Sequence, residues 1–393
     1  MTSNLLVRSV FFSLAFCFLY ALDPSDRSWG AEYNLVLKFL PLIFVFFIFL
    51  VFVKNFFIIL ATPTVIPLLI FFLFSFGGAV CTIFQMNARF EDSYLSRALL
   101  MVFVFLGFVT SFSKKFEKSM AYFLPYLLLF CGFVVATLLI VWGVGFKFVD
   151  MPHIYHEEGV FVLVAMVCVY ISRVNFLIKI LCLIYLAAGL IFMHKNTAYI
   201  MLLVFIVFLL LKSRYLLSAG NLKIFVNVFF FNFFVLIAVF ILMIVNFYSD
   251  ILPSGSPGVR LNTYLQRWEV FLEHPFLGTL FLGSPMFELP TIDGSLFVPS
   301  HSDLLDIMAF GGLFSLIVFV WYSLFPVYRI MFGYQVISND KIDQLYMLLS
   351  VFVFGVFLTL CVNPILNQVK LAAPYWFFVG FLVGRMRQGR AHG

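Results

Sequence analysis

The sequence predicts an all-α fold, a polytopic membrane bundle of about twelve helical spans, and three observations carry that prediction. Of 393 residues, 64% are hydrophobic and only 11% charged, with 57 phenylalanines; a soluble surface usually needs about 25% charged residues. The apolar residues come in runs, among them Leu40–Val53, Phe123–Val141, Phe225–Asn246 and Met347–Cys361, that almost lack ionisable side chains. Apolar stretches of roughly 18 residues or more are long enough to cross hydrocarbon as helices, which satisfy their own backbone there. The dyad alternation of an outer-membrane barrel is absent from the sequence.

Charged clusters place the spans near 5–22, 34–53, 56–84, 96–112, 120–146, 159–172, 175–193, 198–211, 224–248, 303–328, 345–362 and 373–384. Lys and Arg are retained on the cytoplasmic side. With Arg8 inside, Lys54, Lys114, Lys115, Lys118, Arg173, Lys212, Arg214, Lys223, Arg329, Lys341 and Arg385 also fall inside. The loops holding Asp23, Glu158 and Asp293 fall outside. Both termini are then cytoplasmic, and the loop with Arg89, Glu91, Asp92 and Arg97 shows no charge preference. The run Leu5–Leu22 reads as the first span, because no small-x-small cleavage site precedes Asp23. The six cysteines lie in apolar runs without a CxxC pair and read as packing residues. The net charge of +6 follows membrane topology and implies no nucleic-acid partner.

The whole chain, 1–393, reads as a single transmembrane domain interrupted by one long external loop, 249–302. Loops of this length in compact proteins are usually functional or disordered. The recurring Trp, Phe, Leu and Met of this one favour order. Within it, Arg260–Glu273 reads RLNTYLQRWEVFLE. On a helix, with residues about 100° apart, Arg260, Tyr264 and Arg267 share one side. Leu261, Leu265, Trp268 and Leu272 form an apolar stripe, and Asn262, Gln266, Glu269 and Glu273 an acidic face. Pro275 ends the helix. Lying on the membrane with the stripe down, the helix would present two guanidinium groups that suit phosphate or that anchor it to lipid headgroups.

Next, Pro299–Asp306 reads PSHSDLLD at the start of a span. Ser300 or Ser302 is a natural N-cap. His301 at the positive helix end is kept neutral and suited to act as a general base, with Asp303 or Asp306 to orient it. The polar tetrad His194–Thr197 puts Lys195 on the external side, where it snorkels or binds an anion. His153 and His156 beside Glu157 and Glu158 lack a further ligand cluster, so no metal is expected. No phosphate loop, dinucleotide fingerprint or GxSxG elbow occurs in the sequence.

Arg267-Trp268 through His274-Pro275-Phe276-Leu277-Gly278 resembles a motif of the bacterial O-antigen polymerase and ligase superfamily, in which an Arg is followed after ten residues by the Gly of an "hPlfG" segment. Ser300–Leu305 with Phe310-Gly311-Gly312-Leu313 resembles the family's "HN-x-y-L…G-l" segment, with Ser302 where Asn is usual. Met193–Ala198 resembles its "SR" segment, with Lys195 in place of Arg. The motifs cover roughly 190–330; the rest matches by span pattern alone.

The resemblance implies a metal-independent, cofactor-free, inverting glycosyltransferase of the bacterial inner membrane, acting on undecaprenyl-diphosphate-linked glycans at the periplasmic face. Arg260, Arg267 and Lys195 would supply positive charge to the leaving diphosphate, with Tyr264 and Asp303 beside the substrate and His301 as base. Membrane lipid, a chain-length regulator and a flippase are the partners it implies. Among its activities, polymerisation of lipid-linked repeats is the expectation. A ligase that moves finished glycan to lipid A-core or to protein is the first rival, and a lipid-linked-glycan transporter the second.

Overall fold

The computed structural model describes residues 57–86, 93–145, 157–212, 256–284, 286–291, 294–299, 302–333 and 341–390, with 10–11, 13–15, 17–19 and 22 near the N-terminus. A 3-10 turn, Pro63–Val65, leads into α1, Ile66–Met86. Then come α2, Leu95–Thr110; α3, Lys114–Gly143; α4, Gly159–Ile171; α5, Phe176–Phe192; and α6, Asn196–Lys212. After these lie α7, Ser256–Glu273; a hairpin of β1, Met286–Thr291, and β2, Gly294–Pro299; then α8, Asp303–Gly333; α9, Lys341–Leu360; and α10, Val369–Arg390.

Each expected span from 56–84 through 198–211, and from 303–328 onward, coincides with a helix. The expected spans 34–53 and 224–248 lie outside the described residues, and 5–22 is described only in part. Four described helices are long and apolar enough to cross a membrane: Pro63–Gln85, Lys114–Gly143, Asp303–Met331 and Lys341–Leu360. Leu95–Thr110, Gly159–Ile171, Phe176–Phe192 and Thr197–Leu209 are shorter apolar helices. Exposed Tyr122, Phe130, Phe176, Leu177 and Ile184 on their outer faces fit a membrane-embedded protein. Prolines 125, 326 and 374 lie inside α3, α8 and α10, as bilayer helices tolerate when neighbours satisfy the freed carbonyl.

The described elements are helical, as expected, apart from one antiparallel hairpin in the long loop, with Phe287 opposite Val298 and Leu289 opposite Leu296.

Small residues set the closest helix contact, between α2 and α10. A Cβ on Gly380 would lie 1.8 Å from the Val104 carbonyl oxygen, and one on Gly107 would lie 1.9 Å from that of Phe377. Backbones approach this closely only at glycine, the usual device where helices pack in lipid. Buried α4 packs among α3, α5, α6 and α9.

Polar contacts tie the helix ends into two groups. At one end Lys370 pairs with Glu158, Ile365 and Leu366 bond to Asp303, and Arg97 reaches Asp303 and Asp306. At the other, Tyr346 bonds to Glu117, the Arg385 guanidinium lies over the Tyr346 ring and Tyr322 bonds to the Thr64 carbonyl.

Replacing Gly380 with Leu should force α2 and α10 apart at a cost of about 1–3 kcal/mol. Gly77, with no atom within 4 Å of its virtual Cβ, should accept Ala without loss. Thermal unfolding of the two variants in detergent, followed by size-exclusion chromatography, compares them directly.

Candidate functional site

Two charged residues of α8 would be costly in an apolar bundle unless paired. Asp303 and Asp306 occupy its first turn, three residues apart and therefore on one face, and both are fully buried. Carboxylates favour a helix N-terminus, where Ser302 is the cap: its Oγ accepts from Leu305 N at 3.3 Å. The α2 helix supplies the cation that burial demands. The Arg97 guanidinium lies 3.0 Å from Asp303 Oδ1 and donates to Asp306 Oδ2 at 2.6 Å. Asp303 Oδ2 also accepts from the backbone N–H groups of Ile365 and Leu366, at 2.5 and 2.7 Å. One carboxylate thus fixes the α9–α10 connection to the start of α8.

Asp306 has a second partner. Arg267 Nε on α7 donates to Asp306 Oδ1 at 2.8 Å, and its Nη1 donates to Gln266 at 3.3 Å. The guanidinium lies over the Phe310 ring, 4.8 Å from its centroid, and Arg97 lies over the Tyr94 ring at 5.1 Å. Tyr94 and Phe310 touch in turn, with centroids 5.0 Å apart. Burial, reinforced by the charge of Asp306, holds the Tyr94 phenol well above its ordinary range, so it stays neutral. The result is a chain of alternating charge, Asp303–Arg97–Asp306–Arg267, formally neutral, with aromatic rings beside both cations.

Below the cluster the α8 backbone breaks. Gly312 has φ 64° and ψ −171°, a conformation that L side chains rarely adopt. The segment after α7 fills the gap: Leu313 N donates to the Pro275 carbonyl at 2.8 Å, Phe314 N to that of Phe276 at 3.1 Å, and Phe281 N to that of Phe310 at 2.9 Å. Gly278 (φ 59°) fits against Phe310 and Gly312, where a Cβ would come within 2.4 Å of backbone. Hence HPFLG and FGGLF, some 35 residues apart in sequence, are hydrogen-bonded to each other.

The proposed site residues fall in different places. Arg267 and Asp303 meet in one cluster, joined through Arg97 and Asp306. Tyr264 is half-buried one helical turn before Arg267. Arg260 lies on α7, with its side chain outside the described set, and His301, His153 and His156 lie outside the described residues altogether. Half-buried Lys195 sits on the turn before α6, which packs on α4, α5 and α9, whereas the cluster is built by α2, α7 and α8. Among the described residues no group of three or more His, Cys, Asp or Glu could hold a metal ion.

The most buried edge of α7 is Thr263–Arg267, at 0% and 3% exposure, while Leu272 of the apolar stripe is 59% exposed. The ion pair with Asp306 draws the Arg267 edge into the bundle, because an unpaired buried carboxylate is costly. Arg97 was not singled out from sequence, yet it holds two carboxylates. The signal was available: a lone Arg opening an apolar helix and two carboxylates at i, i+3 opening another each need a buried counter-charge.

No protein-family model matches this chain, and no curated protein matches it.

Removing one member of the cluster should cost more than removing a pair. Arg97→Met leaves two buried carboxylates with one guanidinium between them and is expected to destabilise by about 3–5 kcal/mol. Adding Asp303→Asn, which keeps an acceptor for Ile365 and Leu366, should recover part of that loss. Thermal unfolding of the single and double variants measures the coupling.

Proposed function

We propose that this chain is a polymerase of lipid-linked oligosaccharide repeats, a twelve-span protein of the bacterial inner membrane with loop 249–302 on the periplasmic side. The observation that carries the reading is the meeting of Arg267 and HPFLG with Asp306 and FGGLF: the loop motif and the span motif behind the family resemblance form one interlocked unit. The charged part of that unit sits near a bundle end, as an enzyme working at the lipid–water boundary requires. A transporter would favour polar groups at mid-membrane along a pathway.

The reaction joins a hydroxyl oxygen of the incoming repeat to the anomeric carbon of the growing glycan. The bond from that carbon to the lipid diphosphate breaks with inversion, and the hydroxyl proton passes to a base. Asp303 and Asp306 are held by Arg97, Arg267 and backbone amides, so the base role is assigned to His301, the residue before the Ser302 cap. Arg267 is locked by Asp306 and Phe310, and a group fixed before substrate arrives stabilises developing charge without reorganising. Since the cluster is neutral, the surplus positive charge toward the diphosphate is assigned to Arg260, on the same side of α7, with Tyr264 between them. Lys195 is assigned to the lipid-headgroup side of the substrate.

Deleting the gene in a host that makes the native glycan should leave core capped by a single repeat; bare core would make the chain a ligase. Arg267→Lys keeps a charge for Asp306 but loses the planar fork. It should insert normally and lose roughly 10- to 100-fold in transfer, read as shortened glycan ladders; near-normal ladders would leave Arg267 a structural anchor. A single cysteine at Gly294, with the native six replaced, should react with an impermeant thiol reagent in intact spheroplasts. Labelling only after lysis would put the loop in the cytoplasm and exclude the reading.

A further inference from the structure

The segment Pro275–Gly283 follows an amphipathic helix in the long loop, and it exposes large apolar side chains. Phe276 is 75% exposed, Leu277 48%, Leu280 39% and Leu282 38%. Contiguous exposed apolar groups of this kind mark an interaction surface, and two rulers within the bundle give its level. Gly283 N donates to Thr82 Oγ1 at 3.0 Å, and the Leu280 carbonyl lies against Gly78. Thr82 and Gly78 are four and eight residues before the end of α1, or about 6 and 12 Å along it at 1.5 Å per residue. On α8, the bonded residues Phe310, Leu313 and Phe314 lie seven to eleven residues past its first, or about 10–16 Å along it.

Both helices are long and apolar enough to span a bilayer, so the segment sits at the depth of their apolar stretches. Irregular backbone survives there only where its polar groups are satisfied by protein. The break at Gly312 and the Thr82 hydroxyl meet that condition on the inner side. On the outer side, Leu73 of α1 and Leu313 and Ile317 of α8 are likewise exposed, so the apolar surface is continuous. Glu273 and His274, just before the segment, are exposed and polar, as a rim at headgroup level would be.

We propose that Pro275–Gly283 is a re-entrant turn whose exposed face contacts the acyl chains of the bilayer and seats the end of α7 in the membrane. The inference rests on α1 and α8 crossing a membrane and is independent of the proposed glycan chemistry.

The test places a nitroxide at position 276 or 277 in a variant lacking the six native cysteines. The protein is reconstituted in vesicles of phosphatidylethanolamine and phosphatidylglycerol, with labels at exposed Leu73 and Gln266 as lipid and water references. Power-saturation spectroscopy then compares collision with oxygen, which concentrates in hydrocarbon, and with a water-soluble nickel chelate. Oxygen contact dominating at 276 and 277, as at Leu73, is the expected result. Nickel contact like that at Gln266 would overturn the proposal, and so would shielding from both, which would mean a protein partner covers the face. If the cysteine-free background does not insert, a photocrosslinking benzoyl-phenylalanine at 277 in the native chain gives the same reading: adducts to lipid support the turn, and adducts to protein or none oppose it.

Discussion

A carboxylate placed in a low-dielectric interior must find cations, and Asp306 satisfies that constraint by taking one from each side. Its two oxygens hold guanidinium groups from α2 and α7, while Asp303, one turn earlier, shares Arg97 and binds the amides of Ile365 and Leu366. Four separate parts of the chain therefore have a single mutual arrangement in which no charge is left stranded. Buried ion pairs often add little net stability against an apolar alternative, since desolvation offsets the attraction. What they supply here is register. A slip of α2 against α8 by one residue would cost an ionic contact that no neighbouring leucine or phenylalanine can replace.

A second constraint is coupled to the first through Phe310. Its ring lies beneath Arg267, its edge meets Tyr94, and its carbonyl accepts from Phe281 in the re-entrant segment. Two residues later the helix breaks at Gly312, freeing amides that would each cost several kcal/mol if left bare in hydrocarbon. Pro275 and Phe276 supply the acceptors. The same stretch of α8 thus fixes α7 by charge at one level and its C-terminal continuation by backbone pairing at the next. Loosening either contact weakens the other, because both act on a nine-residue stretch from Arg267 to Pro275 that is mostly rigid helix.

How much of this the sequence disclosed follows from which signals are local. Helix positions were legible because long apolar runs separated by basic clusters leave little freedom, and the 256–273 helix ends where Pro275 requires. The hairpin at 286–299 was missed because Pro290 and the general apolarity of the chain hide its pattern, and because Gly294, which a local reading would put in the turn, pairs with Thr291. Arg97 was missed for a different reason. Its neighbours Arg89, Glu91 and Asp92 made it read as one charge in a polar loop, whereas its partners lie more than 200 residues away. No periodicity reports a contact of that range. The burial of Arg267 was missed for the same reason, because its partner Asp306 lies 39 residues away on another helix.

The neutrality of the cluster bears on how such a site would handle a lipid diphosphate. Two arginines facing two aspartates contribute little net field at a distance, so attraction of an anionic donor has to come from charges outside the cluster. What the cluster contributes is geometry: it fixes the angle at which α7 leaves the bundle and holds the Arg267 guanidinium between Asp306 and Phe310. Moving the donor's charge to a site that is already oriented lowers a barrier more effectively than a flexible lysine would, because no side chain has to be immobilised during reaction. Under the proposed function, the costly burial of Asp303 and Asp306 would serve the site as well as the fold. A purely structural junction between α7 and α8 could have been built from leucine at lower desolvation cost, but leucine would not have fixed the direction of a guanidinium.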